Sequence, residues 1–233
     1  AWNIEYGPLG FTQGTGTTVF SLTSNPYTLN GLNSSSSYDF YIQALCSVGD
    51  LSLWSGPYSF STSCGAISAP YLQNFDNSFP VCWIQDSTDD FDWTLNDGGT
   101  NSADTGPSDD VTGGGNYIYT EASDPRDQGD EAMIYSDSID ISSLTNPELN
   151  FYYHMYGDDM GDLDIEIFDG TSYANIFTLS GDQGDQWYEQ NISINNTSNV
   201  VIFRLTGTIG GDYSGDIAID NFEVREALSC PKI

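Results

Sequence analysis

Residues 151–170, FYYHMYGDDMGDLDIEIFDG, bring the chain's only histidine, His154, next to three tyrosines and a crowd of carboxylates. Three chemistries could use them. A glycosidase needs two carboxylates, and Asp164 and Glu166 stand two residues apart on one strand face, roughly 6–7 Å by strand rise. No apolar pocket is evident to raise the pKa of either, and neighbouring carboxylates arise readily in so acidic a chain. A Ser/His/Asp triad would have to use His154, yet no GxSxG elbow accompanies it, and a packed structural histidine is the simpler reading. Calcium suits carboxylates on Gly-rich loops, but DDMGDLDIE lacks the D-x-D-x-D-G order of an EF-hand. The third chemistry is sugar binding. If Phe151, Tyr153 and Met155 face the core, then Tyr152, His154 and Tyr156 share the opposite face, followed by Asp158 and Asp159. Aromatic faces and hydroxyl-accepting carboxylates suit a saccharide, although the aromatics are expected to serve mainly the core. Trp187 and Tyr213, in Gly/Asp-rich loops, are separate surface candidates. The chain reads as non-catalytic.

Composition bounds the partners. The 233 residues carry 34 Asp and Glu against four Lys and Arg, a net charge of −30, which repels nucleic acid and anionic membranes. An aromatic content of 14% supplies a core despite that charge. High salt or bound divalent cations would offset the self-repulsion, which suits a saline extracellular setting. Cys46, Cys64, Cys82 and Cys230 are widely spaced and contain no CxxC pair, so disulfides are favoured over zinc. No run of about 18 apolar residues could span a bilayer. Because AWNIEY begins in mid-pattern, the chain is expected to be a piece of a longer secreted protein.

Helical periodicity is missing nearly everywhere. Runs such as YDFYIQAL, LDIEIF, VVIFRL and DIAIDNFEV alternate between turn residues, an all-β pattern. In LDIEIF the alternation turns Leu163, Ile165 and Ile167 to one face and Asp164 and Glu166 to the other. The Pro-bearing stretch CGAISAP marks a boundary, giving domains at 1–64 and 73–229 with a linker at 65–72.

In the first part Leu32 precedes Tyr38 by six residues, and Tyr38, Phe40, Ile42 and Ala44 alternate inward. That spacing is the tyrosine-corner arrangement. With SLWSGPYSFST closing it, residues 1–64 resemble a fibronectin type III domain that starts at its third strand. Such an incomplete β-sandwich would leave a core face open. Cys46 and Cys64, at the ends of its last two strands, are expected to pair.

The segments CWIQDSTDDFDWTLNDGG, TGPSDDVTGGGNYIYTEAS, GDEAMIYS, LNFYYHMYGDDMGDLDIEIFDG, GDQGDQWYEQNISI and GDIAIDNFEV together resemble a MAM domain. The combination is of the kind found in secreted multidomain bacterial proteins. The resemblance implies a β jelly roll and an extracellular binding role. Two of that family's usual cysteine partners are missing, which implies a Cys82–Cys230 bridge. It also implies a structural Ca²⁺ held by Asp76, Asp109, Asp130 and Asp220. The function expected is polysaccharide or cell-surface glycan binding beside a catalytic module, with protein–protein adhesion as the alternative. A glycoside-active enzyme ranks below both.

Overall fold

The computed structural model describes residues 1–47, 49–195 and 198–228. The architecture is all-β, and the chain divides into two compact units, Ala1–Gly65 and Ala66–Ile233.

The first unit is a single sheet. Its strands are β1 (Trp2–Pro8), β2 (Thr17–Leu22), β3 (Ser37–Ser47), β4 (Asp50–Leu51) and β5 (Ser55–Ser61), with β3 pairing β1, β4 and β5. The Tyr38 hydroxyl accepts the Asn33 N–H at 3.0 Å, which ties the corner before β3. Asp39 and Glu5, both buried, hold turns: Asp39 accepts the Gly10 N–H at 2.8 Å and Glu5 accepts those of Gly14 and Gly16 at 2.7 and 2.8 Å. The apolar row is less covered. Ile4, Phe40, Ile42 and Phe60 are only half-buried and line shallow hollows with Tyr27, because one sheet alone cannot close a core.

The expected Cys46–Cys64 bridge is not formed. Cys46 is free and exposed, whereas Cys64 and Cys82 are each disulfide-bonded. The antiparallel register sets Ser37 opposite Ser61, so Cys64 lies past the start of β3 while Cys46 lies near its end. Along the strand that is on the order of 30 Å, far beyond the roughly 6 Å Cα separation of a disulfide. The partner expected for Cys82, Cys230, lies outside the described residues.

The second unit is a two-sheet sandwich. Its short early strands are β6 (Ile67–Ser68), β7 (Tyr71–Gln73), β8 (Ile84–Gln85), β9 (Thr94–Asn96), β10 (Tyr117–Thr120), β11 (Glu131–Tyr135) and β12 (Ile139–Asp140). The longer ones are β13 (Pro147–Met155), β14 (Asp162–Phe168), β15 (Tyr173–Ser180), β16 (Tyr188–Ser193), β17 (Val200–Thr208) and β18 (Ile217–Glu226). One sheet runs β16-β13-β18-β10-β9 with β7 also on β18, and the other runs β15-β14-β17-β11-β8 with β12 and β6 beside β17. Residues 67–73, expected mostly as linker, thus supply two strands of this unit.

Alternation fills the core as the sequence requires. Leu163 and Ile165 are fully buried and Ile167 nearly so, facing Phe151, Phe203 and Phe222 within one cluster. Phe222 packs edge-on against Trp83 at 5.2 Å and against Phe203 at 5.3 Å. In β18, Ile217 and Ile219 point inward, and so do Phe222 and Val224. The change of phase is absorbed by a register shift opposite Asn150/Tyr152, where Asn221 adopts a φ of 47°. That bulge leaves Asp220 on the outer face.

Candidate functional site

The outer face of the first sheet of this sandwich is where β13 turns Glu148, Asn150, Tyr152 and His154 away from the core. Register places His154 opposite Ala218, and Ala218 opposite Tyr119. The small Ala218 leaves room for rings. Tyr117, Tyr119 and Ala218 form a second apolar cluster under Trp187, whose ring meets Tyr117 at 5.7 Å and His154 at 5.5 Å. Trp187 Nε1 donates to the Asp109 carbonyl at 3.0 Å, fastening this roof to the loop before β10.

His154 is therefore only 1% exposed, which corrects the expectation of an open Tyr152–His154–Tyr156 strip. Its face was read rightly, but loop residues cover it. Burial lowers its pKa against the opposing pull of Asp185, so the ring is neutral at pH 7. With Nε2 donating to Asp185 Oδ1 at 3.2 Å, Nδ1 is a buried acceptor without a partner. Tyr152 and Tyr156 stay half-buried on either side.

Past the Tyr156 end of β13 lies a polar pocket of about 300 Å³. Its lining includes Thr100, Ser102, Asp104, Thr105, Tyr156 and Asp185. Gly157, at φ 141°, closes this end, because a side chain there would collide with the Ser214 carbonyl. Behind Thr100 and Thr105 stands Asp216, fully buried. Its Oδ1 accepts the Ala122 N–H at 2.9 Å, its own N–H donates to Thr105 Oγ1 at 2.9 Å, and the Thr100 hydroxyl lies against the carboxylate. Desolvation raises its pKa to about 6.

The other expected site residues scatter. Asp158 is exposed, and Asp159 accepts the Ser214 hydroxyl at 2.8 Å in the neighbouring loop. Tyr213, 46% exposed, stands beside that loop. Trp187 is not a free surface ring but the roof just described. Asp164 accepts from Asn175 and Thr178 and Glu166 from Arg204, so both carboxylates are engaged by neighbours on the sheet surface.

The four aspartates expected around calcium do not converge as a set. Asp130 accepts the Asp127 N–H in the turn before β11, in the other sheet, and Asp109 accepts from Asp110 and Gly114 within its own loop. Asp76 and Asp110 instead flank Gly115, where a Cβ would strike Asp76 Oδ1. Both raise the pKa of Asp220, which burial chiefly lifts to about 7. Asp220 accepts the Val111 N–H at 3.1 Å and the Asn221 N–H at 2.6 Å. Among the described residues no three Asp, Glu, His or Cys side chains stand in ligating geometry, so an ion here would have to displace backbone N–H donors. The donor set is all oxygen, which fits Ca²⁺ rather than a softer metal.

Sequence reasoning missed Asp110, Asp185, Asp216 and the hydroxyl-rich loop 100–108. The alternation of Tyr117 and Tyr119 in GNYIYTE was the one available signal for the ring cluster.

Comparisons with known proteins give the chain a family. The family model for the MAM domain, meprin/A5/mu, matches residues 73–231. MAM domain-containing glycosylphosphatidylinositol anchor protein 1 from Rattus norvegicus is 31% identical over 219 residues, covering 88% of this chain and 22% of that protein. Neuropilin-1 from Xenopus laevis is 36% identical over 157 residues, covering 64% of this chain and 16% of that protein. The chain thus spans about a fifth of the length of these curated relatives. Among solved structures, the K1 cleaved adhesin domain of Lys-gingipain from Porphyromonas gingivalis W83 is similar with a TM-score of 0.47 at 12% identity, covering 68% of this chain and 98% of that one. A non-crystalline-cellulose-specific carbohydrate-binding module, CBM28, gives 0.43 at 15% identity, covering 70% and 96%. With a family match across most of its length and a two-sheet sandwich beneath it, the chain belongs to the MAM domain family.

Proposed function

We propose that the chain is a non-catalytic extracellular binding module whose ligand is a polysaccharide, held at the Tyr156 end of β13. The pocket carries this reading: hydroxyls of Thr100, Ser102 and Thr105, carboxylates of Asp104 and Asp185 and the ring of Tyr156 line one hollow. Disulfide-bonded Cys64 and Cys82 suit an oxidising, extracellular setting. No helix among the described residues is long and apolar enough to cross a membrane. Truncating Tyr156 to Ala is expected to lower retention in a polysaccharide affinity gel about tenfold, the worth of one well-placed ring, with the melting temperature nearly unchanged. Parallel loss of retention and of folded fraction would count against the site.

Protein adhesion is the second reading, favoured by the uncovered apolar row Ile4, Phe40, Ile42 and Phe60 in the first unit. We read that unit as a partial fibronectin type III module, supported by its Tyr38 corner and its single sheet.

A structural Ca²⁺ would sit at Asp76, Asp110 and Asp220, supplying counter-charge to a buried aspartate whose neighbours are both acidic. Chelation is expected to lower the melting temperature of the second unit and added Ca²⁺ to restore it. A ligand at a hundredfold excess over Kd contributes about 2.7 kcal/mol. Identical melting curves in chelator and in Ca²⁺ would remove the ion from this account.

A further inference from the structure

We propose that Asn30–Gly31 is a self-modification site: in the folded chain the Gly31 amide nitrogen closes on the Asn30 side chain, ammonia leaves, and water opens the ring to aspartate and isoaspartate.

This is the single Asn–Gly step in the sequence. Glycine hinders such a closure least, because no Cβ shields its amide nitrogen or narrows its backbone freedom. The fold leaves the step unguarded. Asn30 and Gly31 are both exposed, and a Cβ built at Gly31 would meet nothing within 4 Å. They lie in residues 23–32, between β2 and β3, where no strand forms. Neither the Asn30 amide nor the Gly31 N–H makes a hydrogen bond to another described residue. The fixed points stand on either side: Leu22 pairs with Trp2, and the Asn33 N–H donates to the Tyr38 hydroxyl at 3.0 Å. Reaching the reactive geometry between them breaks no such bond.

Two chemically related steps show what guarding looks like. At Asp169–Gly170 the carboxylate accepts the Thr171 N–H and hydroxyl at 2.8 and 2.6 Å and the Ser172 N–H at 2.9 Å. Those bonds lower its pKa to about 2 and keep it ionised, and an ionised carboxylate is a poor electrophile. At Asp97–Gly98 the Gly98 carbonyl accepts the Tyr117 hydroxyl at 2.7 Å, which ties the turn to β10.

The closure needs water and no oxidant. The bond from the Gly31 nitrogen to Asn30 Cγ forms as that nitrogen gives its proton to solvent base. The bond from Cγ to the side-chain nitrogen breaks as ammonia departs with a proton from water. Hydrolysis at one ring carbonyl restores the main chain as aspartate, and at the other it routes the chain through the side chain as isoaspartate, one methylene longer. Leu29 and Leu32, on either side, line a hollow with Phe40 and Phe60, so the product sets a new carboxylate and a longer backbone at the rim of the apolar row.

The test incubates the full chain in mildly alkaline buffer beside a synthetic peptide of residues 27–33 and counts aspartate and isoaspartate at position 30 by peptide mapping. The folded chain is expected to react at no less than about a fifth of the peptide's rate, fivefold being about 1 kcal/mol of opening cost. A slower rate means that the fold protects the step, and it overturns the proposal. Asn30→Gln, which must close a larger ring, should remove most of the product; a product that persists arises elsewhere and counts against the site. Isoaspartate at position 169 should stay below that at position 30, and equal amounts would overturn the role given to hydrogen bonding. Hydrogen exchange on the same sample should show fast exchange at Gly31 with β3 protected. Fast exchange across β3 as well would assign the reaction to an unfolded unit rather than to the native loop, and so overturn it.

Discussion

Replacing Tyr71 with phenylalanine is expected to destabilise the second unit by roughly 3–5 kcal/mol, although the change removes a single oxygen. Tyr71 sits on β7 with 8% exposure and joins two buried partners. Trp83 Nε1 donates to its hydroxyl at 2.8 Å, and that hydroxyl donates to Asp137 Oδ2 at 2.7 Å. Asp137 is 5% exposed, and its other oxygen already lacks a partner. Phenylalanine therefore strands a donor and a carboxylate together. An unsatisfied buried neutral group costs about 1–3 kcal/mol and a charged one more. Trp83 also packs against Phe75 and Phe222 at 5.3 and 5.2 Å, so any shift it makes to find a new acceptor disturbs the ring cluster at the core. Chemical denaturation of the wild type and Tyr71→Phe measures the loss, and Trp83→Phe in the same background tests its origin. If the chain is real, the two losses overlap and the double variant costs less than their sum. A loss of under about 1 kcal/mol would mean that water or a backbone group replaces the phenol.

Much of this fold is legible in residue order because strand periodicity reports directly on burial. LDIEIF needed no neighbour to reveal its faces: each buried position is separated by a wet one. Phe151, Tyr153 and Met155 were placed in the core by the same rule. Reading fails where a side chain's surroundings come from distant segments. His154 occupies the expected outer face, yet the roof over it is Trp187, fixed in turn by the carbonyl of Asp109. Nothing local to YHMYG encodes that cover. The Cys46–Cys64 pairing failed for a directional reason, since the ends of two adjacent strands are neighbours only if the strands run suitably, and β3 and β5 run antiparallel. Asp109 and Asp110 are indistinguishable in sequence. The loop backbone decides between them, giving Asp110 the Gly115 N–H at 2.9 Å and turning it toward Asp220.

Asp216 provides the second large effect, a stabilisation that depends on pH. Its folded pKa is raised to about 6 by desolvation, against roughly 3.9 in an unfolded chain. Below the unfolded value both states are protonated and the full contribution to stability is present. As pH rises from about 4 to 6 the unfolded chain releases its proton first, so that contribution drains away, by about 3 kcal/mol for two pKa units. Asp220, lifted to about 7, acts in the same direction over a wider range, and bound Ca²⁺ would cancel its share. His154 opposes both: burial keeps it neutral, so acidification through about 6.5 favours the unfolded chain. The carboxylates whose pKa is lowered by hydrogen bonds, Asp169 at about 2 among them, withdraw stability only at still lower pH. Wild-type curves mix these terms, whereas Asp216→Asn separates one of them. Asparagine can keep its oxygen on the Ala122 N–H and donate its amide to the Thr100 hydroxyl oxygen that lies against the carboxylate. The variant should be more stable than wild type by up to about 3 kcal/mol above pH 7, and the difference should vanish near pH 4. A difference that stays constant with pH would show that packing, not ionisation, separates the two proteins.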